Sequence, residues 1–347
     1  MSHTKSGENA TSPQPLVLSG HTRWVHSVGF LPDGNQFLSG SMDGTMRTWG
    51  TKQAREVRPP IDCKGMVSIM AVSNDGRWIA TGTDKWHVVL WDATTHEKVG
   101  ESADRHKGGI ECLSFSVDAT TVVSGSGDTT VAVWRVPTAE RLAGMFRGHV
   151  QAINSVVFSP DGERLASTDG DDIRIRDSRS GNLVVPLIGL GNWINSLAWV
   201  LAPNDQMLYA TFNNQIVGID ASTGAVCLRW TAHRMPISRI VFSLDGQLIV
   251  ASSNFDQTVQ IWSTATQQEY APALRHNARV LCTAISPDGS RVIAGGEDST
   301  VYVWPIRGNL PRIEEVTSSH ASSMTVCVMY VHCAIRTVDN APRHLIL

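Results

Sequence analysis

The sequence predicts an all-β fold in which one small unit is used seven times. Three observations carry that expectation. The first is the stretch Gly20–Trp49. In it Val25, Val28 and Phe30, then Phe37 and Leu38, then a run ending at Trp49 are separated by turns at Pro32-Asp33-Gly34 and Asp43-Gly44. Short alternating apolar runs joined by Asp-Gly turns read as three antiparallel strands. The second is recurrence: the position of Trp49 returns at Trp91, Trp134, Arg176, Ile219, Trp262 and Trp304, in steps of 42 or 43 residues. The third is an independent marker in the same phase. Asp33-Gly34 returns as Asp75-Gly76, Asp118-Ala119, Asp161-Gly162, Asn204-Asp205, Asp245-Gly246 and Asp288-Gly289. One such meander cannot bury its own faces, so the units must stack on one another.

A period of about 40–45 residues with Gly-His near its start and Trp near its end resembles the tryptophan-aspartate (WD) repeat family. The resemblance covers roughly residues 15–305. It implies a seven-bladed β-propeller of four-stranded antiparallel blades, a fold that hosts many functions.

Taken in order, residues 1–14 are polar and read as a disordered leader. Pro15–Ser19 is a short strand. In resembling proteins such a strand completes the last blade, which removes two open sheet edges. Blade 1 is Gly20–Trp49, with an outer strand near Arg55–Arg58. Blade 2 has Lys64-Gly65 in place of Gly-His, and its second turn, counted from Asp84 to Trp91, is one residue longer, the excess falling at Lys85-Trp86-His87. Blade 3 runs from His106 to Trp134. Blade 4 runs from Gly148-His149 to Asp177, with Arg176 where Trp is expected. Blade 5, ending at Asp220, has no His, turn Asp or Trp; blades 6 and 7 run from His233 to Trp262 and from His276 to Trp304.

Residues 306–347 form a tail with two readings. Either an eighth repeat is begun around His320 and lost, or residues near Ile313–Val316 supply the outer strand of blade 7 in place of Pro15–Ser19. Seven blades closed by the N-terminal strand is the favoured arrangement.

Composition narrows the function. The net charge of -3 and the absence of a basic block give no support for nucleic-acid binding. No apolar stretch reaches the ~18–20 residues of a membrane helix, and the polar start is not a signal peptide. The six cysteines form no C-x-x-C and read as free thiols in a reducing compartment. The cytoplasm is the expected location, with the nucleus as the other option; without a secretory signal the Asn9-Ala10-Thr11 sequon has no role.

The recurrent polar residues invite a catalytic or metal reading, but the resemblance implies a structural one. In the WD-repeat pattern the opening His, a second-strand Ser or Thr (Ser39 or Ser41 in blade 1), the turn Asp and the Trp indole form one buried hydrogen-bond network per blade. The residues at those positions are His21, Asp43, Trp49, His106, Asp128, Trp134, His149, His233, Asp256, Trp262, His276, Asp298 and Trp304. A buried indole N–H needs an acceptor, and such a network specifies geometry only when every member is satisfied. No nucleophile elbow, phosphate-cradling loop or His-Glu-x-x-His is present. Cys327, His332 and Cys333 are too irregular for a metal site. No catalytic residue, metal or cofactor is assigned.

In resembling propellers one face presents the residue before each first strand and the residue before each turn Asp. Here these positions, with their neighbours, give Trp24, Met42, Met66, Trp86, Trp193, Met235, Phe255 and Arg279. Exposed Trp, Met, Phe and Arg are the types enriched at protein interfaces. The expected function is a non-enzymatic scaffold that binds partner proteins or peptides on this face as part of a multiprotein complex. Two alternatives are carried. A cullin-type ubiquitin-ligase substrate receptor would show Trp-Asp-x-Arg at a blade end, and Arg176-Asp177-Ser178-Arg179 keeps the Asp and Arg without the Trp. An enzyme with a site in the central channel would need ionisable residues on the first strands, which read as mainly Ser, Ala and apolar.

Overall fold

The computed structural model describes residues 14–142, 145–191, 193–200 and 207–306, and the backbone of His332–Cys333. All but the last residue of the expected leader lies outside the described residues. So do both tail segments on which the two tail readings rest.

Among the described residues every regular element is a strand, and the strands form seven sheets. Blade 1 shows the pattern. Val25–Phe30 is innermost, followed outward by Gln36–Ser41, Thr45–Gly50 and the short pieces Arg55–Glu56 and Ile61–Asp62. The Asp-Gly turn after the first strand closes with the Gly34 amide on the Leu31 carbonyl, Gly34 at a φ of 66°. That conformation is what glycine offers a tight turn. The repeat phase is reproduced in the register. Trp49, Trp91, Trp134, Arg176, Ile219, Trp262 and Trp304 all lie on third strands, opposite Phe37, Ile79, Val122, Leu165, Leu208, Ile249 and Val292.

The N-terminal strand Leu16–Ser19 pairs with Thr300–Pro305 and is the outermost strand of blade 7. One buried apolar cluster therefore joins both ends of the propeller, with Val25 and Val28 of blade 1 beside Cys282, Ile293 and Val303 of blade 7.

Two sheets depart from the pattern. The outer segment of blade 3 makes only isolated bridges, Val131↔Phe146 and Trp134↔Arg141. The fourth strand of that sheet is instead His332–Cys333, paired on the inner side with Ile110–Phe115. In blade 4 the outer strand is only Ile188–Gly189.

Blade 2 requires a correction. Thr83 pairs with Val67 as Ser41 pairs with Val25, and eight residues separate each from its Trp. The second turn of blade 2 is therefore not longer. Asp84 sits one place early and Lys85 occupies the turn-Asp position. Likewise Cys63, not Lys64-Gly65, takes the place of the opening His. Its amide donates to the Gly44 carbonyl, as the His276 amide donates to Gln257.

Blades touch through glycines on the second strand. A Cβ built on Gly40 would lie 2.6 Å from a Val67 methyl of the next blade, and one on Gly82 would lie 2.6 Å from Ile69 and 2.8 Å from Ile110. Their position admits the innermost strand of the following blade. Gly82→Val is expected to cost about 1–3 kcal/mol by overpacking, read as a lower denaturation midpoint; an unchanged midpoint would contradict this packing account.

Candidate functional site

The loops that enter each first strand and the turns between second and third strands lie on one face of the ring. Beneath them lie the polar networks. In blade 1 the Trp49 indole donates to Ser39 Oγ at 2.7 Å, Ser39 Oγ meets His21 Nε2 at 2.7 Å, and His21 Nδ1 meets Asp43 Oδ2 at 2.8 Å. An indole can only donate and an ionised carboxylate can only accept. Donor counting then fixes the chain: Trp49 N–H to Ser39, Ser39 O–H to Nε2, Nδ1–H to Asp43. Ser41 serves the backbone instead, through the Arg23 carbonyl and the Asp43 amide. Blade 3 repeats the network with Trp134, Ser124, His106 and Asp128.

Burial would raise the Asp43 carboxyl, but hydrogen bonds from the Thr45 hydroxyl, the Thr22 amide and His21 outweigh it and hold it at about 2. Burial keeps the His21 imidazole below its usual value, in keeping with a neutral ring.

The expected network does not form in every blade. The second-strand position is Ser39, Thr81, Ser124 and Ser167 in blades 1–4 but Ala210, Ala251 and Ala294 in blades 5–7. In blade 6 His233 still meets Asp256 at 3.1 Å, but its Nε2 turns to the Ala251 carbonyl and the Trp262 indole has no partner. In blade 7 His276 Nδ1 accepts the Ala278 amide, Nε2 is unpartnered, and Asp298 is taken by the Tyr302 hydroxyl. Trp304 stacks on Tyr302, with ring centres 5.3 Å apart. In blade 4 Arg176, in the Trp position, bonds the Gly181 and Arg147 carbonyls.

On the surface above, the expected face residues divide. Trp86, Trp193, Met235 and Phe255 are 41%, 49%, 43% and 50% exposed. Arg279 is exposed beside Glu297, 3.6 Å away. Trp24, Met42 and Met66 are half-buried. Trp24 stacks on His26, and Arg23 reaches across to the Met42 carbonyl and the Met66 sulfur. Val150, 77% exposed, belongs to the same face and escaped the sequence reading. Its signal was an apolar residue directly after the opening His, where Thr22, Lys107, Arg234 and Asn277 stand in other blades.

Trp86 and Trp193 hold positive φ angles of 67° and 78°. Trp86 fills the turn position of Gly44 and donates its amide to Thr83; Trp193 offers its carbonyl to Asn213. The left-handed φ of Trp86 belongs to the turn, since Thr129, Gln257 and Ser299 hold it at the same position in blades 3, 6 and 7; a bulky residue there is strained by roughly 1–2 kcal/mol, and Trp86 and Trp193 stay about half exposed.

The first strands carry a few ionisable groups among mainly small and apolar residues. His26, Glu111 and Arg239 lie on them. Arg239 is buried and donates to the Leu281 carbonyl. Burial, then the Arg239 charge, lowers His26 to about 4.

Two outcomes follow. Ala251→Ser places a hydroxyl between His233 and Trp262 and should stabilise by about 1 kcal/mol; a lower melting temperature would refute the network. Burial also lowers His276. Groups with depressed folded-state pKa values stabilise fully above their unfolded values and lose that contribution as pH falls. The melting temperature should therefore decline from about pH 6.5 toward 4 through His21, His26 and His276, and again below about 3.8 through Asp43. A maximum near pH 5 would contradict it.

Comparison with known proteins bears on the family. Residues 66–329 match the model described as the IFT122 first beta-propeller, and residues 13–50 match the WD domain, G-beta repeat. Among curated proteins, WD repeat and SOCS box-containing protein 1 of Xenopus tropicalis is 33% identical over 29% of this chain and 24% of its own length. DDB1- and CUL4-associated factor 13 of Gallus gallus is 31% identical over 29% of this chain and 22% of its own. Autophagy-related protein 16 of Arabidopsis thaliana is 28% identical over 44% of this chain and 29% of its own. The aligned part of this chain thus spans about a quarter of the length of these relatives. With the seven blades, their register and their polar networks, the chain belongs to the WD-repeat β-propellers, in the family of the IFT122 first beta-propeller.

Proposed function

We propose that the protein is a non-enzymatic scaffold, acting in the cytoplasm, that binds partner proteins or peptides on the face bearing Trp86, Val150, Trp193, Met235 and Phe255. The observation that carries this reading is that Trp86 and Trp193 are exposed in strained turns. Large aromatic rings left about half exposed at left-handed positions, where other blades carry Gly44, Thr129, Gln257 or Ser299, offer the kind of anchor that a contact outside the chain would use. The rings sit on a rigid ring of sheets, so little ordering entropy is lost on binding. Aromatic anchors of this kind cost about 2 kcal/mol or more each when truncated at an interface, roughly thirtyfold in Kd. The test is a paired pull-down of the intact protein and a Trp86→Ala, Trp193→Ala, Phe255→Ala variant with matched melting temperature. Loss of a defined partner set is expected. Full retention would overturn the face assignment.

A second reading, a substrate receptor of a cullin-type ubiquitin ligase, draws on one relative's name, which records association with DDB1 and CUL4. It also draws on Arg179, which lines a cleft between blades 3 and 4 with Asp118, Phe158 and Asp161, on the opposite face. Co-purification of a cullin adaptor that Arg179→Ala abolishes would support it.

A further inference from the structure

Charge is spread unevenly over the face that bears the exposed aromatic rings. Blades 2 and 3 mix the signs: Lys64 meets Asp62 at 2.6 Å, Lys85 follows Asp84, and Arg105 follows Asp104. Blade 4 adds the exposed acid Asp171, bonded to Gln151. Blade 5 has no charge in the stretches that enter its first strand and form its turn, Leu190–Ile194 and Phe212–Asn214.

Blades 6, 7 and 1 differ. Arg234 follows the opening His233, Arg275 ends the outer strand opposite Thr258 beside the turn, Arg279 directly precedes the first strand of blade 7, and Arg23 directly precedes Trp24. All are exposed. Among the described residues Arg234, Arg275 and Arg23 form no ion pair, and Arg279 has only Glu297, at 3.6 Å. The turn carboxylates beneath do not answer these charges. Their side chains are 6%, 16% and 24% exposed for Asp43, Asp256 and Asp298. Each is bonded within its own blade, to the Thr45, Thr258 and Thr300 amides and to the Thr45, Thr258 and Tyr302 hydroxyls. On a chain whose net charge is -3, this arc of guanidiniums is therefore a local excess that the blades do not use. It borders the exposed Met235 and Phe255 of blade 6, and blade 5 continues the apolar side with Trp193.

We propose that the face takes an extended acidic segment of a partner protein, with its carboxylates over Arg234, Arg275, Arg279 and Arg23 and its apolar side chains on Phe255 and Trp193. This rests on the scaffold reading above and adds the chemistry of the partner. Every cation of the arc is arginine. A guanidinium offers a planar fork of donors that matches a carboxylate, and it gives up its hydration more readily than an ammonium. Complementary charge also steers the encounter and fixes the direction in which a segment lies. The mixed signs on blades 2 and 3 give an acidic chain no such preference, so the acidic end is placed over blades 6, 7 and 1.

The test screens the full chain against an array of random peptides of about twelve residues, printed unmodified and with phosphoserine. Expected is capture of unmodified peptides enriched in Asp and Glu next to an apolar stretch, with binding that weakens steeply as ionic strength rises. An Arg234→Glu, Arg275→Glu, Arg279→Gln variant of matched melting temperature should bind the captured peptides at least about tenfold more weakly. Lys64→Glu should change binding less than about twofold, because that cation already has a partner. Captured peptides without acidic enrichment that are lost on Trp193→Ala, Phe255→Ala but kept by the arginine variant would overturn this inference and leave the scaffold reading standing. Capture of phosphoserine peptides alone would overturn the carboxylate assignment. Capture of no peptide, or of peptides indifferent to both variants, would overturn the inference together with the face itself.

Discussion

A single hydroxyl on the second strand sets the polar network of a blade, complete in blades 1 and 3. It must accept an indole proton and give its own to an imidazole, and the imidazole must then reach a turn carboxylate. Buried polar groups are costly unless all are satisfied. The hydroxyl therefore couples three strands and the entry loop into one unit, and its loss shows directly. Where Ala251 stands in its place the Trp262 indole is left without a partner, and where Ala294 does the His276 Nε2 is. Blade 7 compensates by stacking His276, Tyr302 and Trp304 and by turning the Tyr302 hydroxyl to Asp298. The polar networks are thus fullest in the first half of the ring, and packing takes over in the second.

Much of the fold was legible because repetition lets weak local signals add. One Asp-Gly turn is ambiguous; six further turns in phase with a recurring third-strand position are not. The errors arose where a residue type was followed in place of a strand position. Asp84 was taken for the turn carboxylate of blade 2, although the distance from Thr83 to Trp91 equals that from Ser41 to Trp49. The incomplete networks of blades 6 and 7 could have been read from Ala251 and Ala294. The inter-blade role of Gly40 and Gly82 could not, because it depends on side chains of the next repeat.

The face was legible as a set of positions but not as a set of exposures. Trp24 and Trp86 look alike in sequence, yet Trp24 stacks on His26 while Trp86 projects from a left-handed turn. Backbone conformation separates them, and it depends on which residue fills the position of Gly44. Blade 4 teaches the same lesson in polar form. Arg176 in the Trp position bonds the Gly181 and Arg147 carbonyls, Ser167 keeps its contact with His149, and His149 Nδ1 lies 3.4 Å from both Asp169 and Asp172.

The central claim is that the strained tryptophans serve a partner and not the fold. The most direct measurement is the melting temperature and partner retention of Trp86→Gly, since glycine fills that turn in blade 1 without strain. A rise in stability of about 0.5–1 kcal/mol together with loss of the partner set is the predicted result. A fall in stability with binding intact would mean that Trp86 supports the blade, and it would contradict the account.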